Sequence, residues 1–245
     1  MSKYDLPLRS PLLNAAGSLG FAPDPRGPVE LARLGAFFTN PVSLGPRTPA
    51  HGRRYLPFPG GFLLHTGFPN PGLRAVIGRH AARWGRASLP VVVHLLPQQV
   101  DELPRMLARL EEVEGIAGDE LGLPRDLDAA GAAGFVRAAV GERPVIVRLP
   151  AERAVDLAGA VTQAGAAAVS LAPLRGALPA SEGLLHGRLY GPALLPLALE
   201  VVHTIARRGI TVIGSGGLYR PEDIDGMLSA GAAAVQVEAL FWRGE

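Results

Sequence analysis

Two groups of residues in this sequence have the types and spacing that chemistry needs. Gly214-Ser215-Gly216-Gly217 follows an apolar run and precedes a helical pattern beginning near Pro221. Glycines let backbone N–H groups crowd around an anion, and a helix N-terminus adds a favourable dipole. The segment is therefore either a phosphate cradle or a glycine-rich turn. It has neither the lysine of a P-loop nor the spacing of a dinucleotide fingerprint. The second group stands at or near the ends of apolar runs: Asn14, Asn40, His94, Asp119, Glu120, Arg148 and Ser215. Asp119 and Glu120 are carboxylates placed for general acid–base work, while His94 reads either as a wall residue or as one facing a barrel mouth. Arg148, closing Pro144-Val145-Ile146-Val147-Arg148-Leu149, needs an anionic partner at that depth, from protein or ligand.

The absent residue types narrow the field further. There is no cysteine, which excludes disulfides, thiolate metal sites, iron–sulfur clusters and a cysteine nucleophile. Lysine occurs once, at Lys3, so a buried catalytic lysine requires that the N-terminal tail fold inward. The six histidines show no pair at metal-ligand spacing on one element, and no metal site is expected.

Elements must position these groups. Short apolar runs at 12–16, 36–40, 91–95, 115–120, 145–149, 168–172, 211–214 and 234–238 read as strands. Most are continuously apolar, as parallel strands covered on both faces are. Helical patterns at 29–34, 73–84, 100–110, 129–140, 155–164, 193–207 and 221–230 fall between them. Gly165 and Gly231 open a near-repeat, Ala-Gly-Ala-Ala-Ala-Val, that suits a helix stop feeding a buried strand. Eight β–α units predict an α/β fold, a single (β/α)₈ TIM barrel spanning residues 1–245, with a doubly wound open sheet as the alternative. The proline-rich stretch 41–71 reads as a long insertion after strand two, and the last residues are too few for a complete eighth helix.

Composition bears on partners. Of 245 residues, 48% are hydrophobic and 19% charged, and the net charge is only +2, with arginines scattered among acids. That excludes disorder and gives no nucleic-acid footprint. The start has no signal-peptide core, and the uncharged stretch 157–174 is a helix end and a strand rather than a membrane span, so a cytoplasmic protein is expected.

The ordered phrases of the chain resemble the dihydroorotate dehydrogenase family, barrels that use flavin mononucleotide (FMN) to oxidise dihydroorotate to orotate in pyrimidine synthesis. Leu12-Leu13-Asn14-Ala15-Ala16-Gly17-Ser18 is similar to its opening strand, and Gly67-Phe68-Pro69-Asn70-Pro71-Gly72 to its GLPN turn. The strand ending in Arg148, the run Gly187-Arg188-Leu189-Tyr190-Gly191-Pro192-Ala193, the glycines 214, 216 and 217, and Ala230–Val237 follow in family order. The resemblance implies an FMN site at Ala16, Gly17, Asn40, Arg148, Gly191, Gly216 and Gly217, and substrate contacts at Asn70 and Asp119.

Departures cluster on the family's functional positions. Asn40 and Arg148 stand where the family has lysines, and Asp119 where it has a substrate-binding asparagine. Gly122 aligns with the Cys or Ser base, and Leu64 and Pro173 with two further asparagines. Glu238 replaces a glycine whose N–H borders the flavin phosphate. No catalytic residue is assigned. Three readings follow: an FMN-dependent oxidoreductase; a repurposed or non-catalytic barrel acting as a ligand-binding or partner subunit; and another phosphate-handling barrel using Asp119 or Glu120. An Arg148 paired with Asp119 or Glu238 would satisfy the charges of the mouth without a ligand. Phe241 and Trp242, just past strand eight, are expected to lie in a homo-oligomer or partner contact.

Overall fold

The computed structural model describes residues 5–6, 8–27, 29–181 and 183–238. Its barrel strands are β1 (Leu12–Asn14), β2 (Phe37–Phe38), β5 (Val91–Leu95), β6 (Ile116–Gly122), β7 (Val145–Pro150), β8 (Ala168–Ala172), β11 (Val212–Gly214) and β12 (Ala234–Val237). The intervening labels belong to a second sheet: β3 (Tyr55–Phe58), β4 (Gly61–Leu64), β9 (Arg175–Ala180) and β10 (Gly183–Tyr190). Among the described residues there are six α-helices: α1 (Leu73–Trp84), α2 (Glu102–Glu111), α3 (Ala129–Ala139), α4 (Ala151–Gln163), α5 (Leu195–Ala206) and α6 (Pro221–Ser229).

The eight parallel strands run in the order β1-β12-β11-β8-β7-β6-β5-β2. This is the expected TIM-type barrel, and it is nearly closed. Its seam lies between β1 and β2, where the ladder is reduced to the bridge Leu13↔Ala36. Asn14 extends it: its Nδ2 donates to the Phe38 carbonyl at 2.7 Å, and its Oδ1 accepts from the Phe38 N–H at 2.9 Å. A side-chain amide thus does what a neighbouring backbone would.

Alternation along each strand divides the core in two. Phe37, Val91, Val93, Leu121, Val147, Val169, Val212 and Val235 face the helices in the large cluster. Leu13, Ala36, Phe38, Val92, Ile146, Ala168, Ile213 and Ala234 fill the barrel interior. The near-repeat works as its glycines suggest. At Gly165 (φ 113°) and Gly231 (φ 106°) the chain enters the left-handed region. The Ala166 N–H then reaches the Val161 carbonyl, and the Ala232 N–H the Met227 carbonyl, so both helices stop with their last carbonyls paired.

Two expectations need correction. The helix at 29–34 is a single 3₁₀ turn, Leu31–Arg33. Leu34 is already extended, and the Gly35 N–H donates to the Leu12 carbonyl while the Gly35 carbonyl accepts from the Arg9 N–H, so the helix cannot continue. The insertion 41–71 is not loop throughout, since β3 and β4 form a hairpin within it. That hairpin joins β9 and β10, in a stretch with no assigned element, to make a four-stranded antiparallel sheet in the order β3-β4-β10-β9. The incomplete eighth helix and Phe241 and Trp242 lie outside the described residues.

Candidate functional site

Two residues beyond the apolar interior row, the same inward positions turn polar. Val92 is followed by His94, Ile146 by Arg148, Ala168 by Ser170 and Ala234 by Gln236, and Glu120 joins them from β6. All five are buried. Glu120 is the hub. Its Oε2 lies 2.5 Å from His94 Nδ1, and its Oε1 accepts from Ser170 Oγ at 2.6 Å and Gln236 Nε2 at 2.9 Å. Arg148 Nη1 donates to Gln236 Oε1 at 3.2 Å and stands 3.7 Å from Glu120 Oε2, while its Nη2 donates to Glu238 Oε1 at 3.1 Å. Burial pushes the Glu120 carboxyl up, but His94, then Arg148 and Ser170, outweigh it and bring it down to about 2. Burial and Glu238 hold the Tyr190 phenol protonated well above its ordinary range, and its hydroxyl is hydrogen-bonded to the Glu238 carboxylate.

His94 and Arg148 are the members of this network that open toward the mouth. The His94 ring borders a cavity of about 110 Å³ shared with Ala16, Pro41, Arg148 and Pro173. A Cβ on Gly122 would stand 2.8 Å from His94 Nε2. Gly122, which the resemblance sets against the family's base, has no side chain, and an imidazole occupies the adjoining space. With Nδ1 tied to Glu120, Nε2 is the nitrogen placed to give or take a proton.

Asp119 is not part of this network. Neighbouring residues on a strand face opposite ways, so Asp119 lies with the helix-facing row and pairs with Arg143 Nε at 2.9 Å. Burial raises its pKa despite Arg143, and its Oδ1 has no hydrogen-bond partner. Glu120, one residue on, faces the barrel interior. Asn70 is turned inward to its own loop: Oδ1 accepts from the Ser43 and Gly72 N–H groups, and Nδ2 donates to the Phe68 carbonyl. Asn40 accepts from the Gly20 N–H at 3.1 Å, and Ser215 donates to the Leu171 carbonyl at 2.7 Å. Asn14 and these two residues stitch loops and seam instead of entering the charged network.

Gly191, Gly216 and Gly217 do come together. They line a cavity of about 20 Å³ with Ser215, Tyr190, Gln236 and Glu238. Gly217 lies so close to the start of α5 that a Cβ would be 2.2 Å from the Leu195 nitrogen. Ala16 borders the mouth, and Gly17, with φ 97°, turns the chain there beside Pro41. Sequence reasoning missed Ser170, Gln236 and Tyr190. The first two were available from alternation, each standing two residues after an alanine of the interior row.

A parallel barrel with its charged side chains near the C-terminal ends of its strands has the architecture of (β/α)₈ proteins that bind or transform small molecules. No family model matches the chain. Among curated proteins it is 31% identical to the dihydroorotate dehydrogenase B (NAD(+)) catalytic subunit of Pelobacter propionicus, over 95% of this chain and 84% of that one. It is 32% identical to the protein of the same name from Desulforudis audaxviator, over 95% and 83%. Among solved structures it matches the Eimeria tenella dihydroorotate dehydrogenase crystallised with ferulenol, at TM-score 0.75 and 17% identity, covering 96% of this chain and 77% of that one. The chain belongs to the dihydroorotate dehydrogenase family.

The family's FMN does not fit the residues as they stand. The space beside Gly216 and Gly217 holds about one water, and its wall includes a carboxylate already engaged by Arg148. Arg148 itself is committed to Gln236 and Glu238.

Proposed function

We propose that this chain is a flavin-free member of its family, a barrel repurposed to bind a small molecule at its mouth and not to oxidise dihydroorotate. The Arg148–Glu238 pair carries the reading, because it sets an anion and its partner cation where the family's cofactor phosphate would need open cationic or N–H surroundings. Gly122 adds to it, since it offers no atom to remove a proton from dihydroorotate. One observation favours the FMN-dependent oxidoreductase reading. The backbone turns at Ala16-Gly17, Gly191 and Gly216-Gly217 survive although the side chains around them have changed. The visible spectrum of the purified protein separates the two. We expect no flavin band near 450 nm and no orotate formed from dihydroorotate with an artificial electron acceptor; a stoichiometric flavin with turnover would contradict the proposal.

The relatives are named as catalytic subunits. On that analogy we propose that this chain also works in an assembly, in the cytoplasm, with Phe241 and Trp242 in its contact. None of the helices among the described residues is long and apolar enough to cross a membrane. Light scattering should find an oligomer or a complex that the Phe241→Ser, Trp242→Ser double variant loses. A monomer that captures no partner, or an assembly untouched by the double change, would contradict this.

A further inference from the structure

The second sheet gives the barrel mouth a side wall, and on that wall cations are gathered without ion-pair partners among the described residues. Arg175 on β9 and Arg188 on β10 face each other directly across an antiparallel ladder. Like charges in that position destabilise a sheet, so their retention needs a reason. Both line a cleft of about 360 Å³ that Arg47, Arg125 and His65 also border, with Asp126 the one carboxylate among its lining residues. None of these four arginines forms an ion pair within 4 Å among the described residues. Arg175 Nη2 is buried with no hydrogen-bond partner, a donor left without its acceptor.

The array is also prearranged. Arg188 donates to Thr66 Oγ1 at 3.2 Å and lies 4.3 Å above the centre of the Phe68 ring, which fixes its guanidinium at the edge of the cleft. Burial, then the charges of Arg125 and Arg188, lower Arg175 to about 10, outweighing the attraction of Glu152 and Tyr190. Burial, then the charges of Arg175, Arg125 and Arg188, lower His65.

We propose that this cleft binds a small molecule carrying two or more oxyanionic groups, held by Arg175 and Arg188 with Arg47 and Arg125. The inference rests on the reading of the mouth as a ligand site and names the ligand class. Guanidinium forks match carboxylate and phosphate oxygens two at a time, and two such groups bridging facing arginines would turn a repulsive pair into a clamp. The floor of the cleft includes Leu96 and Gly122, which also border the His94 cavity, so a ligand anchored here reaches His94.

The probes are pyrophosphate and succinate, titrated calorimetrically at low salt into wild type and into Arg175→Gln, Arg188→Gln and Arg109→Gln variants. Arg109 lies exposed on α2, so its variant removes the same charge away from the cleft. We expect at least one probe to bind, and which one tells phosphate from carboxylate. Arg175→Gln and Arg188→Gln should each weaken binding tenfold or more, while Arg109→Gln changes it less than twofold. Without ligand, Arg175→Gln should melt at or above the wild-type temperature, because it relieves repulsion; a lower melting temperature would count against an unpaired cation. Binding of neither probe, or equal weakening by all three variants, would overturn the proposal. A flavin band in the same wild-type preparation would overturn the flavin-free reading alone.

Discussion

Replacement of Glu120 by leucine should lower stability by about 3–5 kcal/mol, the cost of removing one partner from a buried charged cluster. The change strands His94 Nδ1, Ser170 Oγ and Gln236 Nε2 in the barrel interior and leaves Arg148 with less compensation. For a chain of this length that corresponds to a fall in melting temperature of about 10 °C or more, read by calorimetry or circular dichroism. Acid should act on the same group. The Glu120 carboxyl is lowered from 4.5 to about 2 in the folded protein, so its contribution is fully present above about 4.5 and is lost as pH falls through about 2. Wild type should lose about 3 kcal/mol across that window through Glu120. The leucine variant should show a flatter acid limb. Equal melting temperatures for the two proteins, or parallel acid limbs, would show that the cluster is not the keystone of the barrel interior.

The second large effect concerns Glu238. A carboxylate about 4 Å from a phosphate repels it by about 4 kcal/mol per unit charge at an effective dielectric near 20, which corresponds to roughly a thousandfold in affinity. Glu238→Gly removes that charge, opens the space beside Gly216 and Gly217, and frees the Arg148 guanidinium to face an anion. The variant should therefore bind FMN at least a hundredfold more tightly than wild type, with quenching of flavin fluorescence as the readout. Unchanged affinity would place the obstacle elsewhere in the mouth, in its small volume and not in its charge.

The barrel was legible because its strands are continuous apolar runs, as in 91–95, 145–149 and 168–172, and these fall within or onto the observed strands. Two of the strands in the second sheet were hidden for opposite reasons. In β3, Tyr55, Leu56 and Phe58 are all apolar although only Leu56 is buried, and Pro57 argues against a strand, so the residue types show no alternation. In β10, glycines and leucines follow one another with no period at all. Pairing between β4 and β10 joins residues more than 120 positions apart, and no local pattern carries it. Within the site, His94 and Arg148 are found from strand ends and Glu238 from the family resemblance, and the Arg148–Glu238 pairing is among the outcomes weighed. Asp119 shows the limit of that approach. Strand ends tell depth along the barrel and so offer Asp119 and Glu120 together, but only the pleat tells inside from outside, and it leaves Glu120 alone in the interior. The arginine wall was illegible because Arg47, Arg125, Arg175 and Arg188 come from four separate segments.

The central claim is that the chain's own side chains occupy the ground on which its relatives' family seats a flavin. Titration of wild-type protein into FMN, followed by flavin fluorescence and completed by equilibrium dialysis, tests it directly. No saturable quenching and no flavin retained after dialysis are predicted. Retention of one FMN per chain would contradict the account.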